Sequence, residues 1–215
     1  MIDHSNYMRK ELRSNEVVNK SSTGIKRDAI LRAAIKVFSE NGYFNSKVSD
    51  IAREAGVADG TVYLYFKNKD DILHSIFQHA MSIFIAEAKK ELEKTDDPAD
   101  KLRKIAKLHL EKLGKDRDLA VVFQVELRGS TKFMEEFSTS AFAEYLNIIK
   151  EAFIEGQQKG IFRSDLNPTV CAKILFGALD EMVTNWILSK KNYPLVPVSE
   201  TVISVFFNGV LNRQG

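Results

Sequence analysis

Apolar residues recur along this chain at intervals of three and four, the spacing that gathers them on one side of an α-helix. Ile30, Leu31, Ala34, Ile35 and Phe38 make the first stripe, in a segment whose helix signals begin at Ser22 and stop at Asn41-Gly42. Val48, Ile51, Ala52 and Ala55 make a second, shorter one; Gly56 ends it, and Val57 turns back toward the core. Val62 and Phe66, four apart, anchor a third helix from about Asp59 to Phe66. In Lys67-Asn68-Lys69-Asp70-Asp71, Asn68 is a cap and the acids fall in a first turn. The helix it opens points Ile72, Leu73, Ile76, Phe77, Ala80, Met81 and Phe84 inward and thins out near Lys94.

Thr95-Asp96-Asp97-Pro98 stops that helix and starts another, with Asp97 as cap and Pro98 in the first turn. Leu102, Ile105, Ala106, His109 and Leu113 carry it to Gly114. From Leu119 to Leu127 the pattern alternates at Val121, Phe123, Val125 and Leu127, as a strand would. No partner strand exists elsewhere, so the segment reads as a helix buried nearly all round, in which Gln124, Glu126 and Arg128 each need a partner. Phe133, Phe137, Phe142, Tyr145, Leu146, Ile149 and Phe153 continue the helical spacing to Gly160. Asn167-Pro168 caps a helix bearing Cys171, Ile174, Leu175, Ala178, Leu179, Met182 and Trp186, broken between Tyr193-Pro194 and Pro197. Ser199 opens the last, with Val202, Val205, Phe206, Phe207 and Val210. These two helices are apolar over more of their surface than one core uses. That predicts a homodimer through a four-helix interface, with Leu175, Leu179, Met182, Val202, Phe206 and Val210 in it.

Between Ser46 and Asp70 two short helices meet at a glycine turn. With Val62 and Phe66 inward, the second keeps Thr61, Tyr63, Leu64 and Tyr65 for its outer side. Aromatic and hydroxyl groups there suit a helix laid in the DNA major groove, touching phosphates and base edges. The alternative is a plain helical hairpin with a solvated KNKDD run. The order of residues bears on the choice. Gly42-Tyr43, Val48-x-x-Ile51-Ala52-x-x-Ala55-Gly56-Val57 and Gly60-Thr61-Val62-Tyr63-x-Tyr65-Phe66-x-x-Lys69 resemble the DNA-binding domain of TetR-type transcriptional repressors. The resemblance implies phosphate or base contacts from Lys47, Ser49, Asp59, Gly60, Thr61, Tyr63, Tyr65 and Lys69. Where that family often caps the second helix with Ser or Thr, this chain has Ala58, so the cap comes from Asp59 or is absent. The expected architecture is all-α: a flexible arm over residues 1–21, a three-helix helix–turn–helix DNA-binding domain over 22–68, and a larger helical ligand-binding and dimerisation domain over 69–215.

Composition narrows this only slightly. The 215 residues are 44% hydrophobic and 28% charged, as in a soluble globular protein, and the net charge of +2 does not by itself announce a nucleic-acid binder. The positioned Lys47, Lys67 and Lys69 do so instead; Arg9, Lys10 and Arg13 offer a second, minor-groove reading of the arm. One cysteine, Cys171, excludes an internal disulfide and a cysteine-rich zinc site, and fits a reducing cytoplasm. His74 and His79 are five apart and do not share a helix face, so a metal site is not expected; no secretory or membrane-spanning run is visible.

Fourteen Phe in 215 residues is a rich supply of rings, and many of them fall between Phe123 and Phe176. They build either an ordinary core or an apolar tunnel for a long aliphatic ligand, lined by Phe123, Leu127, Phe142, Leu146 and Phe176 with Gln124, Arg128, Asp180 and Trp186 as placed polar groups. Arg128 stands either at its mouth or in an ion pair with Glu181 or Asp180. Leu119 through Arg128, Phe176-Gly177-x-x-Asp180-Glu181-x-Val183-Thr184-x-Trp186, and Gly56 through Thr61 with Tyr63 through Phe66 resemble the TetR-type regulators of fatty-acid degradation, the FadR type of Gram-positive bacteria, in which Ala58 is ordinary. That resemblance implies a cytoplasmic dimeric repressor of β-oxidation genes, bound to a palindromic operator and released by long-chain acyl-CoA, with no cofactor. The alternative within the family is a repressor of an efflux or stress gene induced by another hydrophobic molecule. No nucleophile elbow, phosphate loop or metal spacing supports an enzyme acting on acyl thioesters. A helical adaptor binding protein rather than DNA is the third reading. Lys69→Ala is expected to weaken operator binding and lower its salt slope.

Overall fold

The computed structural model describes residues 24–126, 128, 135, 141–191 and 193–211. The arm, Leu127, Phe133 and Phe137 lie outside the described residues. All secondary structure described is helical apart from one isolated bridge, Phe162 with Leu211. Contacts divide the chain into two units between Ser75 and Ile76.

The first unit contains α1 (24–41), α2 (Val48–Glu54), α3 (Asp59–Tyr63) and the opening turns of α4 (Lys69–Leu92). Ile30, Ala34, Phe38, Ile51, Ala52, Val62, Ile72 and Leu73 are completely buried in it. Ile72 and Leu73 explain why the division falls seven residues beyond the expected 68/69 boundary: the start of α4 belongs to this small core. Gly56 (φ 67°) ends α2: its left-handed backbone turns the Val57 N–H back to Ala52 O at 3.0 Å, beside the Gly56 N–H to Arg53 O bond at 3.2 Å. Asp50 Oδ2 accepts from the Lys47 N–H (3.0 Å) at the other end of α2. α3 is three residues shorter than its spacing predicts, because the chain tightens beyond Tyr63: the N–H groups of Leu64 and Tyr65 bond to Thr61 O and Val62 O, three residues back instead of four. Its N-cap is Ala58, with no side-chain bond, so the missing cap is simply absent.

The second unit holds the rest of α4, α5 (Pro98–Lys115), α6 (Arg117–Val121), a wide π-type turn Val122–Glu126, α7 (Ala141–Gln158), α8 (Pro168–Leu188) and α9 (Val198–Val210). Asp97 caps α5 through the Ala99 N–H (3.0 Å), and Asn167 caps α8 through those of Thr169 and Val170 (3.0 and 3.2 Å). Phe162 lies fully buried, stacked on Phe153 with centroids 4.9 Å apart. The segment after Leu119 corrects the expectation of a helix buried all round. Ala120 of α6 points inward, and the π-type turn keeps Val122 and Gln124 inward while swinging Val125 into solvent.

Four of the six expected interface residues turn inward. Leu175, Leu179, Phe206 and Val210 are buried within the unit's own core, and Met182 and Val202 pack partly buried against it. α8 has two apolar faces, and Cys171, Leu175, Leu179 and Val183, spaced by four, occupy the inner one. The exposed apolar positions on the two helices are Val170, Ile174, Leu188 and Val205.

Candidate functional site

On α3 the inward anchors hold the outward residues in place. Val62 and Phe66 are buried, while Asp59 and Gly60 are exposed and Thr61 and Tyr65 half-buried. Tyr63 is 56% and Leu64 81% exposed, an unusual state for two large apolar side chains side by side. Lys47 and Ser49, at the start of α2, are exposed too. Lys36 pairs with Glu54 at 2.7 Å, tying α1 to α2. The Lys47 N–H, with Arg53 beside it, holds the Asp50 carboxyl below its ordinary range.

Lys69 is a different matter. Its ammonium donates to the carbonyl oxygens of Tyr43 (2.6 Å), Ser46 (2.9 Å) and Phe44 (3.3 Å) and sits 4.3 Å from the Tyr43 ring centroid. Three donors meet three acceptors. Burial lowers its pKa, against the opposing charge of Asp70. Lys69 therefore ties down the turn between α1 and α2, and its reading as a cation free for phosphate is corrected. Tyr43 donates its hydroxyl to Asp70 on the same α4 start, and burial with that bond raises its pKa. The expected Asn68 cap is present: Asn68 Oδ1 accepts from the Asp71 N–H and Asp71 Oδ2 from the Lys67 N–H, both at 2.8 Å.

In the second unit a polar cluster crosses the apolar core. Asp180, on α8, accepts from Gln124 Nε2 at 2.6 Å and pairs with Arg128; Thr184 Oγ1 donates to Gln124 Oε1 at 3.0 Å. Of the two partners considered for Arg128, Asp180 is the one it meets, while Glu181 takes Asn185 (2.6 Å). Beside them is a group of rings: Phe142 and Tyr145 on α7, Phe176 on α8, Phe84 on α4 and His109 on α5. Phe142 and Phe176 lie 4.8 Å apart, Phe84 and Tyr145 4.7 Å. Phe123 packs against Phe77 at 4.7 Å, and Leu146 is half-buried. Trp186 is placed apart from this group. Its N–H donates to Tyr193 O (3.0 Å) and Arg117 lies over its ring, a structural anchoring of the chain after α8.

His109 escaped notice because it counts as one more position on the apolar stripe of α5. It is buried, its Nδ1 is 2.9 Å from the Tyr145 hydroxyl, and its Nε2 has no hydrogen-bond partner among the described residues. Burial pulls its pKa down to about 4, against the opposing pull of Asp180, and raises that of Tyr145.

Residues 30–76 match the family described as bacterial regulatory proteins, tetR family, and residues 77–209 match the C-terminal region of YsiA-like protein. The fatty acid metabolism regulator protein of Bacillus subtilis is 39% identical over 184 residues, 86% of this chain and 95% of that protein. Among solved structures, the fatty acid degradation regulator FadR from Bacillus halodurans superposes with a TM-score of 0.82 at 38% identity, over 86% of this chain and 95% of its own. FadR from Bacillus subtilis, solved in complex with stearoyl-CoA, superposes with a TM-score of 0.80 at 38% identity, over 84% and 97%.

Proposed function

Because this chain belongs to the TetR family of bacterial regulatory proteins, we propose that it is a repressor of fatty-acid degradation genes, bound as a dimer to a palindromic operator and released by long-chain acyl-CoA. The observation that carries the effector is the relative solved with stearoyl-CoA, which matches over 84% of this chain. A ring-lined core crossed by one polar cluster suits a long chain with a polar end. α3, with Tyr63 and Leu64 outward, is the element for the major groove, supported by Lys47 and Ser49. No helix among the described residues is long and apolar enough to cross a membrane, and a protein acting on operator DNA works in the cytoplasm.

Release follows from differential affinity. Moving an equilibrium from 99:1 to 1:99 takes about 5.5 kcal/mol, and about seven methylenes buried only in the released state supply it at ~0.8 kcal/mol each. The dimer uses the outer faces of α8 and α9, where Val170, Ile174 and Val205 are exposed and a Cβ at Gly177 or Gly209 would meet nothing. Ile174→Arg is expected to give monomers by sedimentation and to lose operator binding while remaining folded. The function itself is tested by fluorescence anisotropy on a DNA fragment from upstream of the protein's own gene. Palmitoyl-CoA or stearoyl-CoA should release the fragment and free CoA should not. Retention of DNA at saturating acyl-CoA, or failure to bind any operator-length duplex, overturns the proposal.

A further inference from the structure

Among the described residues, His109 Nε2 is the buried side-chain nitrogen or oxygen that lacks a partner. The ring is 5% exposed, stacked on Tyr145 (centroids 5.8 Å, 27°) and met edge-on by Phe84 and Phe176 (6.3 and 5.9 Å). Two neutral tautomers satisfy the 2.9 Å contact with Tyr145. In one, the Tyr145 hydroxyl donates to Nδ1, leaving a single unpaired group, the Nε2–H. In the other, Nδ1–H donates to the Tyr145 oxygen; the Nε2 lone pair and the phenol proton are then both unpaired. Each unpaired buried group is costly, so the first arrangement is favoured. The burial that depresses the pKa of His109 keeps the ring neutral. An N–H donor therefore sits in an aromatic box, waiting for an acceptor.

The surroundings say what kind. Gln124, delivered by the π-type turn, already has Asp180 and Thr184, and Asp180 has Arg128 as well, so that neighbouring cluster is matched. π-type turns concentrate at functional positions. Three aromatic neighbours call for a ligand that is apolar apart from one oxygen. A free carboxylate is disfavoured there: it would be desolvated among rings, with the Asp180 charge close enough to act on both His109 and Tyr145. Resting on the acyl-CoA reading, we propose that His109 Nε2–H donates to the carbonyl oxygen of the effector's acyl thioester. The protein thus distinguishes an acyl thioester from an alkyl chain of equal length.

The test compares palmitoyl-CoA with S-hexadecyl-CoA, the thioether that lacks the carbonyl, by calorimetry and by release of DNA. The native protein is expected to bind the thioester about five- to tenfold more tightly, the worth of one buried hydrogen bond. His109→Phe should bring the ratio to about one, and His109→Gln, which restores a donor, should recover part of it. In ¹⁵N spectra of the native protein the His109 Nε2–H signal should move on adding palmitoyl-CoA and stay in place with the thioether. That comparison requires no variant and stands if His109→Phe does not fold. Equal, tight binding of both ligands by the native protein, or an unchanged ratio in His109→Phe, overturns the carbonyl contact and leaves the acyl-CoA reading intact. Binding of neither ligand overturns that reading, and this inference with it.

Discussion

Lys69→Ala separates two roles for one residue. If the ammonium were a phosphate contact, its loss would weaken operator binding, reduce the slope of log K against log salt by about 0.9, and leave the fold alone. The structure predicts otherwise. The substitution strips three carbonyls, those of Tyr43, Phe44 and Ser46, of their charged donor and removes a cation from the face of the Tyr43 ring. Charge-assisted hydrogen bonds contribute about 1.5–3 kcal/mol when well shielded. Lys69 is only half-buried and water can replace part of what is lost, so the net cost is about 2 kcal/mol. For a unit of this size that is on the order of 10 °C in its unfolding midpoint. Two assays on one preparation decide the matter: a thermal melt of the full chain followed by circular dichroism, and operator titrations between 50 and 200 mM salt, a range chosen so that one phosphate contact is visible. The expected result is a lowered midpoint with an unchanged slope. Lys47→Ala, at an exposed lysine where α2 begins, should do the reverse. A Lys69→Ala protein that melts like the native one and loses about 0.9 from its slope would refute the structural role.

Tyr63→Ala should weaken operator binding at least tenfold without moving the unfolding midpoint, since the side chain is 56% exposed; an unchanged Kd would remove Tyr63 from the interface. Gly156→Ala puts a Cβ 2.1 Å from the Phe162 ring, which is held flat against Phe153, and should destabilise the second unit by roughly 3 kcal/mol in denaturant titration. A native midpoint would show that the ring yields. The depressed pKa of His109 makes stability pH-dependent. The unfolded chain takes up its proton near pH 6.5 and the folded chain only near pH 4, so stability present above pH 6.5 is lost as pH falls toward 4. The loss is on the order of 3 kcal/mol, and His109→Phe should flatten that part of the profile.

Helix positions were legible because spacing and caps are local. Asp97-Pro98 and Asn167-Pro168 start helices where their side chains meet backbone N–H groups, and Gly56 and Gly160 stop them at positive φ. α3 was placed by its order of residues but drawn too long, since nothing in Leu64-Tyr65-Phe66 shows that the backbone tightens to bonds three residues back. Lys69 misled for a different reason. A lysine beside a helix start is equally consistent with a phosphate and with three carbonyls 23 to 26 residues earlier in the chain, and only folding brings those carbonyls together. Between Leu119 and Leu127 a period of two hid a π-type turn, an element whose extra residue per turn leaves no signature in apolar spacing.

Polar residues told more about the core of the second unit than apolar ones, and for a physical reason. Phenylalanines pack against one another whether or not a ligand comes, so the rings at 4.7 to 4.8 Å describe a core and nothing more. A buried polar group carries a requirement that packing does not meet. Gln124, Asp180 and Thr184 satisfy theirs among themselves, with Arg128 closing the cluster through one of its guanidinium nitrogens, which makes them its frame. Trp186 satisfies its own on Tyr193. His109 does not, because its single polar contact engages one ring nitrogen and leaves the other facing rings. A group that costs stability and returns nothing in the free protein is a better marker of a ligand than any number of apolar neighbours. By that criterion the group on α5 is the one in this core that a ligand would complete.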